Sequence, residues 1–559
     1  MGRPNSALTK GDEAIPLLEL TVDRLLARAV EERGNEIALI VPHQNIRWSY
    51  ADLALAVDDL AGSLLALGVK KGDRVALCSP SRYEWIVTQF ATARVGLILV
   101  CINPAYRAAE LEFALNKTRS KVLIIAPRFK TSDYIEILRT LAPELDQQNS
   151  DKLDLQCLPH LRYVIKFGCE RVSGMLNYED LLRIPKSVEQ VDAASKSLSP
   201  DDPINIQFTS GTTGLPKGAI LSHRNIVNNA YFSARRMNFS SRDRLCIPVP
   251  LFHTFGMVMG VLACVSHSAS MLLPGEGFDA GEVLRAVEAE RCTALHGVPT
   301  MFIAEMDHPT FKQRDLSSLR TGIVAGAPCP IEMMKRLVNY MGLAEITIAY
   351  GMTETSPISF QTCIDDSLER RVATVGRVHP HVEVKVVDES GAIVKLDEHG
   401  QVCVRGYSVM LGYWDEPEKT ADAVKDGWMH TGDLGVLDDA GYLQIVGRIK
   451  DMVIRGGENL FPREIEEYLF RHPAVADVQV FGVPDKKYGE ELCAWIVRKP
   501  GCETIEEEIR RFCQGQISHQ KIPRYVRFVD AFPITASGKA RKSEMRKAMM
   551  EELGLIEAS

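Results

Sequence analysis

Thr209-Ser210-Gly211-Thr212-Thr213-Gly214-Leu215-Pro216-Lys217-Gly218 follows directly on the apolar run Ile204 to Phe208. A strand-like run that delivers the chain into such a segment makes an anion-gripping loop. Glycines let backbone N–H groups come close to a charged ligand, while the hydroxyls and the Lys217 ammonium add donors. The segment is not a Walker A loop, because no G-x-x-x-x-G-K-[ST] occurs, and Gly538-Lys539 is followed by Ala540. A flexible Gly/Thr hairpin is the plain alternative, and ten consecutive residues of this composition outweigh it.

Outward from this loop, short apolar runs alternate with helical patterns. Arg74 to Leu77 reads as a strand, Tyr83 to Val95 as a helix, and Leu97 to Cys101 and Lys121 to Ile125 as further strands. That alternation predicts an α/β fold with parallel pairing. It returns near the end, with strands at Val478 to Gly482, Leu492 to Val497 and Val526 to Val529 and a helix from Ile505 to Ile517. Between the two regions, Val446-Gly447-Arg448-Ile449-Lys450-Asp451 joins a strand to a segment rich in glycine, asparagine and charge. We place the domain boundary there, with a large part over 1–449 and a small α+β part over 450–559.

The chain has 559 residues, more than one typical domain. Its net charge of -8 provides no general field for nucleic acid or anionic lipid, so a polyanionic ligand must be held by local cations. The 13 cysteines never fall as C-x-x-C, which argues against a zinc site or a disulfide framework and for a reducing compartment. The most apolar stretch, Val87 to Val100, is broken by polar residues and too short for a membrane span. The expectation is a soluble, cytoplasmic protein, with peroxisomal and mitochondrial locations left open, as are a homodimer and a carrier-protein partner.

Further motifs occur in order along the chain: Pro250-Leu251-Phe252-His253, Gly326-Ala327-Pro328, Tyr350-Gly351-Met352-Thr353-Glu354, Thr431-Gly432-Asp433, Gly447-Arg448-Ile449-Lys450-Asp451, Arg455-Gly456-Gly457-Glu458-Asn459 and Ser537-Gly538-Lys539. With the 209–218 loop, this series resembles the adenylate-forming superfamily of acyl-CoA synthetases, luciferases and peptide-synthetase adenylation domains. Asn103-Pro104-Ala105-Tyr106, Asp202 to Phe208 and Gly406 to Trp414 resemble most its medium-chain "acyl-CoA synthetase family member 2" type. The resemblance implies activation of a carboxylic acid by ATP to an acyl-adenylate, then transfer to the thiol of coenzyme A. It also implies a large domain of α/β subdomains with parallel sheets, followed by a small mobile C-terminal domain.

A carboxylate must attack the ATP α-phosphate against phosphate repulsion, so the site needs cations where charge develops and a metal on the leaving pyrophosphate. Glu354 offers the hard oxygen that Mg2+ prefers, although alone it would be an ordinary first-turn carboxylate. The resemblance adds the Thr209 hydroxyl to that metal, and places adenine between Tyr350 and the backbone of Gly326 to Pro328. It further pairs Asp433 with Arg448 at the ribose, where an isolated Asp after Gly would be a turn residue. Lys539 resembles the lysine that bridges acid carboxylate and α-phosphate, and His253 a residue lining the acyl carboxylate's pocket.

The second half-reaction needs Lys539 withdrawn. The resemblance implies rotation about a hinge at Lys450, with Gly456-Gly457-Glu458 forming the pantetheine passage. Glycines lacking Cβ atoms permit that close approach, and an ordinary β-turn is the bland alternative. Three other functions share part of the pattern: an adenylating enzyme loading a carrier protein (a fatty-acyl-AMP ligase among them), a luciferase-like oxygenase, and a non-catalytic acyl-binding protein. The complete set of charged residues argues against the last.

Overall fold

Arg74–Cys78, Ile98–Ile102 and Val122–Ile125 form parallel strands, and the helix Tyr83–Arg94 crosses between the first two. Their burial shows no two-residue alternation, because a parallel sheet covered on both faces hides every side chain. In the computed structural model they lie within an eight-stranded sheet, whose described neighbours include Pro203–Thr209, Lys217–Ser222 and, at one edge, Gly412–Tyr413. The structure describes residues 5–150, 152–209, 216–327, 329–535 and 539–555. Residues 210–215 of the predicted phosphate loop, Pro328 and residues 536–538 lie outside the described residues.

The last strands of this sheet depart from the parallel rule in a way that serves the loop. Pro203–Thr209 runs parallel to Ile98–Ile102, then pairs antiparallel with Lys217–Ser222, with Thr209 opposite Lys217. The loop is therefore slung between two paired strand ends.

A nine-stranded sheet supplies the facing wall. Its six parallel strands are Ile37–Val41, Ser270–Leu272, Arg244–Cys246, Ala294–Gly297, Thr321–Val324 and Glu345–Gly351. Ile358–Gln361 continues it antiparallel. A third, antiparallel sheet contains His399–Gly406, Trp428–Leu437 and Leu443–Arg448.

The helix His223–Arg236 joins all three. Ser222 and Asn225 close a reciprocal capping box at its start. Asn225 then donates to the main-chain oxygens of Tyr407 and Val409, and Asn229 exchanges bonds of 2.7 and 2.9 Å with the backbone of Ile358. Arg236 reaches the carbonyls of Gln361 and Val378. These asparagines are buried yet satisfied, so they tie sheets together without the cost of orphaned polar groups.

Beyond Leu443–Arg448, a short turn Ile449–Asp451 leads into a five-stranded sheet. Val475–Asp485 and Gly489–Arg498 form an antiparallel hairpin, and Tyr525–Val529 adds parallel to Gly489–Arg498 across a helix. That helix spans Glu506–Cys513 rather than Ile505 to Ile517, because Gln514 is extended and Gly515 has φ +71°. The apolar periodicity continues into a segment whose backbone no longer does.

Candidate active site

Thr321–Val324 and Glu345–Gly351 are parallel neighbours, so Gly326 and Tyr350 emerge at the same carboxyl edge. That edge is where open α/β sheets bind ligands. Gly351 has no room for a side chain, since a Cβ there would run into the Pro357 carbonyl oxygen. The Tyr350 hydroxyl donates to Asp433 Oδ2 at 2.6 Å, and Arg448 Nε donates to Asp433 Oδ1 at 2.8 Å. Burial, reinforced by the Asp433 charge, pushes the Tyr350 phenol well above its ordinary pKa and keeps it a donor. Both Asp433 oxygens are engaged, and each retains a second lone pair that can accept from a ribose hydroxyl.

Thr353 and Glu354 begin a single helical turn, Thr353–Thr355, directly after Gly351 and Met352. Glu354 is 6% exposed, and the Thr209 hydroxyl lies 3.3 Å from its Oε1. The end of the loop-bearing strand thus meets the end of the nine-stranded sheet. Among the described residues no group of three or more His, Cys, Asp or Glu could hold a metal ion alone. One buried carboxylate beside a hydroxyl nevertheless suits Mg2+, which binds through one or two carboxylates, water and substrate phosphates.

His253 precedes the π-helix Phe255–Leu262, in which all eight residues are buried. Its Nδ1 accepts the Phe255 N–H at 3.2 Å. Burial first, and then the Lys539 charge, lower its pKa to about 4, so the ring is neutral at physiological pH. It can line a carboxylate pocket, but a base with this pKa carries little driving force.

Lys539 lies just before Ala540, which bridges antiparallel to Ile534, and its N–H donates to the Thr535 hydroxyl at 3.0 Å. Its side chain enters the cleft: a Cβ built on Gly326 would lie 3.6 Å from Lys539 Cε. Lys539 is exposed at the open cleft. Desolvation by the cleft wall and, second, the Arg448 charge lower its pKa, while Asp433 and Glu354 act in the opposite sense. Lys539, His253, Gly326, Asp433, Arg448 and Glu354 therefore converge on one cleft.

Two predicted groups stand apart from it. Lys450 is exposed within the turn Ile449–Asp451. Gly456 and Gly457, with φ of +60° and +87°, make the two-residue turn between Val453–Arg455 and Glu458–Leu460. Nothing lies within 4 Å of a Cβ on Gly457, and Glu458 is exposed. In this arrangement the turn faces open space. Ala327 is exposed at the cleft edge, and Lys217 lies with its ammonium 4.9 Å from the Tyr413 ring. Sequence reasoning missed Tyr413, although it lies within the Gly406 to Trp414 stretch, because no motif spacing links it to Glu354.

The family model for "AMP-binding enzyme" matches residues 26–414, and that for "AMP-binding enzyme C-terminal domain" matches 464–539. The chain belongs to the AMP-binding enzyme family. Among relatives of this AMP-binding enzyme is the mitochondrial medium-chain acyl-CoA ligase ACSF2 of Danio rerio, 44% identical, covering 97% of this chain and 90% of that protein. A solved anthranilate CoA ligase, AuaEII with anthranoyl-AMP, superposes with a TM-score of 0.85 at 26% identity, covering 97% of this chain and 99% of that one. ATP-bound MatB from Rhodopseudomonas palustris gives 0.82 at 29% identity, with 95% and 100% covered. Enzymes of the AMP-binding family use ATP, and relatives of this one are acyl-CoA ligases. Among the described residues no helix is long and apolar enough to cross a membrane.

Proposed function

We propose that this AMP-binding enzyme is an AMP-forming fatty acid–CoA ligase with a medium-chain preference, using Mg2+ and coenzyme A. The observation that carries the reading is the entry of Lys539 into the cleft beside Gly326, facing the Asp433–Arg448 pair. An ammonium there lies where negative charge grows as an acid oxygen bonds to the α-phosphorus and pyrophosphate departs. A charge already held at that point stabilises the transition state without reorganisation at the moment of reaction. Tyr350, Asp433 and Arg448 would hold the nucleoside, and the 209–218 loop the phosphates. Glu354 and Thr209 would hold Mg2+, which when bound offsets charge on the leaving pyrophosphate.

The second step needs the sulfur of coenzyme A to bond to the acyl carbon as the bond to AMP breaks, the thiol proton passing to solvent. We place the hinge at Lys450, dividing a 1–449 part from a 450–559 part. Support comes from the short exposed turn Ile449–Asp451 and from two apolar cores built only of residues beyond it, one around Val480 and Leu492, the other around Phe481 and Met545. Rotation there would withdraw Lys539 and bring the Gly456–Gly457 turn to the cleft.

The test is a panel of straight-chain acids from short to long, with aryl and branched acids beside them, assayed with ATP and Mg2+. Pyrophosphate release and thioester formation are read separately, with free coenzyme A or a phosphopantetheinylated carrier as acceptor. Medium-chain acids with free coenzyme A should give the highest kcat/KM. A carrier-only thioester would overturn the acceptor, and a preference for another acid class would overturn the chain length.

A further inference from the structure

Glu354 is gripped by a residue that no function above employs. The Tyr413 hydroxyl donates to Glu354 Oε1 at 2.8 Å, a shorter contact than the 3.3 Å to Thr209. Tyr413 is 7% exposed and Glu354 6%, so this bond is shielded from water and correspondingly strong. The other Glu354 carboxylate oxygen, Oε2, has no protein hydrogen bond among the described residues.

The strand Gly412–Tyr413 fixes the phenol. It is the edge strand paired with Lys217–Ser222, with Tyr413 opposite Ala219. Leu411 and Trp414 donate to the carbonyls of Ile220 and Gly218 at 2.9 and 2.7 Å, and the Tyr413 N–H donates to the Thr420 hydroxyl at 2.8 Å. Three residues earlier, Met410 N–H donates to the main-chain oxygen of Glu354 at 2.9 Å. The 410–413 segment therefore holds Glu354 by backbone and side chain together. The face of the same ring lies 4.9 Å from the Lys217 ammonium, a cation–π contact at the end of the phosphate loop.

Resting on the reading of Glu354 as the Mg2+ ligand, we propose that Tyr413 is the positioning residue of that site. Its hydroxyl pins Oε1 and thereby presents Oε2 to the metal, while its ring face keeps the loop lysine in register with the carboxylate. A ligating carboxylate whose outer partner is lost binds its metal about 10- to 100-fold more weakly.

The experiment is a calorimetric titration of Mg2+ into the full chain saturated with the α,β-methylene analogue of ATP. Tyr413→Phe keeps the ring and removes only the hydroxyl. It should weaken Mg2+ binding by about 10-fold, and the half-saturating Mg2+ for pyrophosphate release should rise by the same factor. Excess Mg2+ should restore most of the turnover. Thr420→Val frees the backbone amide beneath the phenol and should shift the same constant in the same direction by less, which provides a second test if Tyr413→Phe fails to fold. Glu354→Gln is the reference. If it weakens Mg2+ binding while the two other variants bind as the parent does, the role of Tyr413 is overturned and the metal reading stands. If Glu354→Gln binds Mg2+ normally, the metal reading is wrong and the inference falls with it.

Discussion

Asp433 and Arg448 are register partners in the antiparallel pair of Trp428–Leu437 and Leu443–Arg448, with Arg448 Nε 2.8 Å from Asp433 Oδ1. Sheet pairing, rather than loop conformation, sets their distance. Arg448 also ends the last strand before the Ile449–Asp451 turn. On the proposed reading the nucleotide grip is thus built into the frame, and only the chain beyond Arg448 need move.

Asp433→Asn should raise the apparent KM for ATP by about 10- to 100-fold, the loss expected for hydrogen bonds to a charged group. It leaves the Tyr350 hydroxyl and the Arg448 guanidinium facing a neutral amide. Pyrophosphate release measured against ATP concentration checks it. An unchanged KM would remove Asp433 from the nucleotide site.

Lys539→Ala should lower adenylate formation by about 100- to 1,000-fold, the cost of deleting a charge aimed at a transition state. Thioester formation from supplied acyl-adenylate should stay near the parent rate. Equal losses in both half-reactions would make Lys539 a structural residue.

Gly457→Leu separates the two arrangements. The position has φ +87° and open surroundings, so the cost to folding is backbone strain of about 1–2 kcal/mol rather than collision. Acid-dependent exchange of pyrophosphate into ATP should persist while acyl-CoA formation falls by about 100-fold or more, the scale of effect that misplacing a reacting group produces. Normal acyl-CoA formation would place the thiol's route elsewhere.

Acid should destabilise the fold through buried histidines. His223 and His296 are fully buried, and burial lowers their pKa from 6.5 to about 3 and about 4. Below pH 6.5 the unfolded chain binds protons that the folded chain does not, so stability is full above that value and falls as pH drops towards 4. Each histidine contributes up to about 1.4 kcal/mol per pH unit in that window. Urea unfolding at about pH 5 and about pH 7 measures the slope, and His223→Gln should flatten it by close to one proton.

Much of the frame was legible in the sequence because it depends on local pattern. Short apolar runs such as Ile98–Ile102, recurring at a spacing that fits crossover helices, read as strands buried on both faces. The candidate site was legible where one short segment carries it, as in Tyr350 to Glu354, whose side chains the structure brings against Asp433 and Thr209. The contacts that escaped are set by pairing between distant segments. Tyr413 meets Glu354, 59 residues earlier in the chain, only because its edge strand docks on the loop hairpin. The state of His253 likewise depends on enclosure and on Lys539, which arrives from the far end of the sequence.

Besides its apolar packing, the helix His223–Arg236 bonds its neighbours through main-chain atoms: carbonyls of Tyr407, Val409, Gln361 and Val378, and both backbone groups of Ile358. Such a fastening does not depend on which side chains those partner segments carry. Substitutions there leave these bonds in place, whereas loss of Asn225, Asn229 or Arg236 cannot be compensated from the other side. The tolerance to substitution is therefore one-sided, low on the helix that supplies the side chains and higher on the segments that supply only backbone.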